Sequence, residues 1–215
     1  MAEAMKKTVA GMLKGIERYN PDNLGTLERY VEIQARENAY DLEANLAVLK
    51  LYQFNPRMFN IDITQLILLK ALTNFPHSDF ILCKCLLNEA KLAQEPINQI
   101  IYLAHILEEC DFQSFWKRVM AAPEMTSKIA GFLDSIRKFV CHVVGITYQT
   151  IERGHLSQLL GDIDDITMKH WIKKYGWKEE DKLVFIANQD ENIKTKNINE
   201  KIDFESSGAV MAASR

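Results

Sequence analysis

The 215-residue chain carries 26 Lys and Arg against 29 Asp and Glu, a formal net charge of -3, with 47% hydrophobic and 26% charged residues. That composition is of an ordered globular chain with one or two domains, and it excludes wholesale disorder. Nine glycines and five prolines are few for an all-β protein, and neither residues 1–145 (16 basic, 17 acidic) nor 146–215 (10 basic, 12 acidic) form a polycation.

The first two-thirds read as helices divided by prolines. Val9, Met12, Leu13 and Ile16 give the i, i+3, i+4, i+7 stripe of a first helix, ending near Pro21. Leu24, Leu27 and Val31 begin a second, and Asp41 caps a third that carries Leu42, Leu46 and Leu49 to Pro56. A fourth runs from Asp62 to Asn74. Ser78 is the cap candidate for a fifth, with Asp79 in its first turn and Cys83, Leu86, Leu87 and Ala90 on its stripe. Pro96 opens a sixth through Ile97, Ile100, Ile101 and Ala104, and Asp111 caps a seventh with Phe112, Phe115, Trp116 and Val119. After Pro123, an eighth carries Ile129, Phe132, Ile136, Phe139, Val140 and Val143.

After Gly145 the pattern changes. Residues 146–151 are β-branched and aromatic, as in a short strand, and His155 to Leu160 is a short helix closed by Gly161. Asp164-Asp165 opens an amphipathic helix through Ile166, His170, Trp171 and Tyr175, stopped by Gly176. Residues 183–187 form the clearest strand, followed by a polar turn at 188–192 and a returning strand at 193–195. The order helix, strand, helix, helix, strand, turn, strand is that of a winged helix-turn-helix. The expected architecture is mainly α: a helical-repeat array of the HEAT/TPR kind over residues 1–128, a small winged-helix α+β module over 129–205, and a flexible tail over 206–215.

No segment has signal-peptide character and no run approaches the ~18 apolar residues of a membrane span. Cys83, Cys85, Cys110 and Cys141 read as reduced thiols of a cytosolic or nuclear protein. Walker, dinucleotide, zincin and nucleophile-elbow patterns are all missing, and Cys83-x-Cys85 would point to different sides of a helix. The reading is therefore no enzyme, no cofactor, no metal, no membrane and no small-molecule substrate. Two segments are less bland. Lys169, Lys173, Lys174 and Lys178 lie in an acid-free stretch interleaved with His170, Trp171, Tyr175 and Trp177, the place where a winged helix meets phosphates; non-specific RNA contact and a partner-facing surface are both open. The strand Leu183, Val184, Phe185, Ile186 and Ala187 would offer a partner an open sheet edge, unless its own turn protects it.

Several segments carry a resemblance. Residues 38–56, from Asn38-Ala39-Tyr40-Asp41 to Phe54-Asn55-Pro56, are joined by Arg18-Tyr19-Asn20-Pro21, Leu69-Lys70-Ala71-Leu72, Arg137-Lys138-Phe139, Cys141-His142-Val143-Val144, Lys174-Tyr175-Gly176-Trp177 and Lys201-Ile202-Asp203-Phe204. In order and spanning most of the chain, they resemble the K-subunit family of eukaryotic translation initiation factor 3, PCI-type scaffold subunits. The resemblance implies a helical array followed by a winged helix, and assembly with other subunits of the factor, subunit L most directly. It also implies a non-enzymatic role at the small ribosomal subunit and a cytoplasmic location with room for a nuclear pool.

Overall fold

The computed structural model describes residues 1–189 and 204–213, and among them helices dominate. The array is built from α1 (Ala2–Met12), α2 (Leu24–Arg36), α3 (Leu42–Phe54), α4 (Ile61–Leu72), α5 (Asp79–Cys85), α6 (Glu89–Leu92), α7 (Ile97–Glu108), α8 (Phe112–Ala121) and α9 (Pro123–Thr126). Helix α4 is at its centre, packed on α2, α3, α5 and α7. Its sequence is apolar on nearly every side, which is what a helix surrounded by others requires, and Ile67, Leu68, Leu69, Ala71 and Leu72 are fully buried.

The expected caps at α3 and α8 are present. The Asp41 carboxylate accepts from the Ala44 backbone N–H at 3.1 Å, and Asp111 accepts from that of Ser114 at 3.1 Å. Hydrogen bonds to Ser114 hold the Asp111 carboxyl below its usual range. Ser78 differs: its side chain caps nothing. Asp79 is instead a buried acceptor, taking the Tyr40 hydroxyl at 2.7 Å and the Asn74 amide at 2.6 Å. Burial, then the bond to Asp79, push the Tyr40 phenol strongly upward. The fifth helix stops at Cys85 and Ala90 belongs to α6. Ile16 leaves the first stripe: α1 ends at Met12, and Ile16 sits 83% exposed in a 3-10 turn, Gly15–Tyr19.

The winged-helix module follows as α10 (Phe132–Thr147), β1 (Thr150–Glu152), α11 (Arg153–Leu159), α12 (Asp165–Tyr175), β2 (Lys178–Glu180) and β3 (Leu183–Phe185). Two expectations are corrected here. Helix α10 runs on to Thr147, whose hydroxyl bonds back to the Val143 carbonyl at 2.7 Å, so the strand expected from 146 starts at 150. Among the described residues the wing is the hairpin β2–β3, turned at Asp181 with φ 51°. The polar turn expected at 188–192, from residue 190 onward, and the returning strand expected at 193–195 lie outside the described residues. The sheet order is β1-β3-β2, antiparallel throughout, so Leu183, Val184 and Phe185 form the middle strand. Residues 204–213 form helix α13 (Phe204–Ala213), in keeping with the helix propensity of its alanines, and most of the tail set apart at 206–215 falls within it.

One continuous core of buried side chains runs from Ala2 to Ile186. At the seam, Phe139 of α10 meets Phe75 and Phe112 of the array with ring centroids 5.2 and 5.9 Å apart. The Trp116 indole N–H donates to the Leu159 carbonyl at 2.7 Å, and the Ala130 N–H to the Ala35 carbonyl at 2.8 Å. Two backbone positions make that approach feasible. Gly131 (φ 71°) lies where a Cβ would come within 2.8 Å of the Asn38 amide, and Gly161 (φ 90°) where one would come within 2.8 Å of the Trp116 ring.

Candidate interaction surface

Helix α12 is held at both ends. At the start, the Thr167 hydroxyl donates to the Asp164 carboxylate at 2.5 Å and, as the leading cause, holds that carboxyl below its usual range. At the end, Gly176 takes the left-handed conformation (φ 70°); its N–H reaches the Lys173 carbonyl at 3.2 Å and the Trp177 N–H reaches that of Ile172 at 3.1 Å. This is the Schellman arrangement. Met168, Trp171 and Ile172 face the core, so the buried stripe is displaced from the expected Ile166, His170, Trp171, Tyr175 line. Ile166 is 81% exposed. It begins a solvent-facing stripe that continues through Lys169, His170, Lys173 and Lys174.

Three of the four singled-out lysines thus share one helix, while Lys178 lies past the Gly176 stop, on β2 opposite Phe185. The Lys174 ammonium sits 4.4 Å from the Trp171 ring centroid. Trp171, Tyr175 and Trp177 stack on one another, at 6.2 and 5.3 Å between successive centroids. A cleft of about 680 Å³ separates α12 from the first turns of α10, with Lys138, Ile166, His170 and Lys174 among its walls. Arg153 clasps the module together: its guanidinium pairs with Asp165 of α12 at 3.0 Å and with Glu179 of β2.

The second singled-out segment is placed differently from its reading as an open edge. Both neighbours pair with Leu183, Val184 and Phe185, and the Ile186 N–H donates to the Gln149 carbonyl at 2.9 Å. Val184 and Ile186 are core residues, and Ala187 packs against the core. The strand is apolar because it is central, and the outer positions fall to β1 and to β2, the latter consisting of Lys178, Glu179 and Glu180. A charged edge discourages strand addition.

A further surface escaped the sequence reading. Ile81 and Leu82 of α5 and Tyr102 of α7 are each 45–50% exposed, and Ile81 and Tyr102 line a groove of about 670 Å³ between the two helices. The signal that could have found them is their position off the buried stripes: Phe80 and Cys83 already serve α5, as Ile97, Ile100, Leu103 and Ala104 serve α7.

The thiols are placed for packing. Cys83 and Cys141 are fully buried, which pushes each up to about 12, while Cys85 and Cys110 are exposed. Among the described residues, no cluster of His, Cys, Asp and Glu is arranged to hold a metal ion, and no helix is long and apolar enough to cross a membrane.

Comparison with known proteins gives the family. The model of the CSN8/PSMD8/EIF3K family matches residues 58–197. Eukaryotic translation initiation factor 3 subunit K of Bombyx mori is 68% identical over 99% of this chain and 97% of its own length. The proteins of the same name from Anopheles gambiae (62%, over 99% and 96%) and Homo sapiens (57%, over 100% and 99%) align equally fully. With that coverage of a mainly helical array ending in a winged helix, the chain belongs to the CSN8/PSMD8/EIF3K family, in the group whose members are named translation initiation factor 3 subunit K.

Proposed function

We infer that the chain is a non-catalytic scaffold subunit of translation initiation factor 3, acting through protein–protein contacts in assembly of the initiation complex on the small ribosomal subunit. Other subunits of the factor are its partners, and subunit L, as the K-subunit resemblance implies, is the most direct. Its place is the cytoplasm, with room for a nuclear pool. The observation that carries the reading is the α5–α7 groove, where Ile81 and Tyr102 stay half-exposed although the neighbouring core is closed. Apolar side chains gathered at a groove favour a protein partner. Burial of Cys83 and Cys141 keeps both thiols protonated at neutral pH, which supports a structural use. A second reading, non-specific contact with RNA phosphates, draws on the exposed Lys169, Lys173 and Lys174; the acids at the start of the same helix weigh against it.

The test is purification of the tagged full chain from cells followed by size-exclusion chromatography. Elution with the other subunits of the factor in fixed ratio is expected, and Tyr102→Asp should reduce the co-eluting fraction about tenfold without lowering the melting temperature. Recovery of the wild-type chain only as a free monomer would overturn the scaffold reading.

A further inference from the structure

We propose that the exposed stripe of α12 is a docking face for an acidic protein segment bearing an aliphatic side chain: Ile166 takes the apolar contact while Lys169, Lys173 and Lys174 meet the carboxylates. The proposal rests on the scaffold reading and names the chemistry of one partner. Four observations carry it. Ile166 is 81% exposed beside the cleft between α10 and α12, with cations one and two turns further along the same helix face. Among the described residues, Lys169 and Lys173 pair with none of the chain's own carboxylates, whereas Asp165 and Glu179 are both taken by Arg153.

The face is also bipolar. Asp164 stands at its N-cap and Asp165, paired with Arg153, in its first turn, with the lysines in its later turns. A uniformly charged phosphate backbone laid along it would meet the Asp164 carboxylate at the acidic end, while a protein segment can end its acidic run there. Finally, the aromatic rings next to the lysines are stacked on one another, and α12 has no arginine or asparagine. Neither a base-stacking platform nor a bidentate base reader is present on the helix.

The experiment uses initiation factor 3 purified through the tagged full chain. Zero-length carbodiimide coupling, which joins lysine amines to carboxyls, should link Lys169, Lys173 or Lys174 to Asp or Glu of another subunit. The double variant Lys169→Glu with Lys173→Glu, and separately Ile166→Ser, should each lower incorporation about tenfold at physiological salt, while Lys50→Glu on α3 leaves it unchanged. Ile166→Ser removes no charge and no core contact, so it tests the face even if the charge reversal perturbs the chain. An assembled factor that incorporates both α12 variants as well as the wild type overturns the proposal and leaves the scaffold reading standing. Ultraviolet crosslinking of these lysines to RNA, with no carbodiimide links to protein, overturns it in favour of a nucleic-acid face. A wild-type chain that never enters the factor overturns both.

Discussion

Lys70 is a charged side chain held inside the core. A lysine ammonium ordinarily reaches solvent, yet Lys70 on the central helix α4 is 1% exposed, with the Asn38 side-chain oxygen 3.5 Å from its ammonium. Burial lowers it from 10.5 to about 8. The sign follows from linkage: the unfolded chain holds this proton more tightly than the folded one, so protonation favours unfolding. The penalty is fully present below pH 8 and fades as the pH rises towards 10.5. Lys70→Met should therefore stabilise the protein at pH 7 by on the order of 3 kcal/mol. The gain should shrink between pH 8 and 10, as read from urea unfolding across that range. A gain that does not vary with pH would mean that Lys70 is not the titrating group.

At the scale of elements, local signals were readable and pairing-dependent ones were not. The Asp41 and Asp111 caps, and the Gly176 stop, depend on residues within one turn of the helix end, so their chemistry is visible in sequence. Strand β2 is the opposite case. Lys178, Glu179 and Glu180 have little intrinsic preference for a strand, and they become one because β3 lies beside them. Missing β2 made β3 look like an edge. The face of α12 was ambiguous for a related reason: Ile166 and Met168 both fit an apolar helix pattern, and only packing decides which is buried. The contact between α8 and the end of α11 can be tested directly. Gly161→Ala would place a methyl 2.8 Å from the Trp116 ring at φ 90°, so unfolding free energy from denaturant titration should fall by at least about 2 kcal/mol. Gly11→Ala on α1, where nothing lies within 4 Å, should not destabilise.

For the molecule as a whole, the sequence divides near residue 128, and the buried side chains on either side of that point belong to one cluster. The array and the winged helix share Phe75, Phe112 and Phe139, together with the bond from Trp116 to Leu159. Scanning calorimetry should accordingly show one cooperative transition with matching calorimetric and van't Hoff enthalpies; two resolved peaks would mean that the seam is weak. Such fusion was beyond reach of helix periodicity, which identifies the inward face of each helix without saying which other face it meets.

The double pairing of Arg153 has a mechanical consequence. A guanidinium at the start of α11 holds the start of α12 and the outer wing strand at once, like a pin through two plates. A partner that levers the wing outward must either break this pin or carry the first turn of α12 with it, tilting Ile166 relative to the array. Two neighbours seated on wing and helix would then feel one another through a single side chain, without touching.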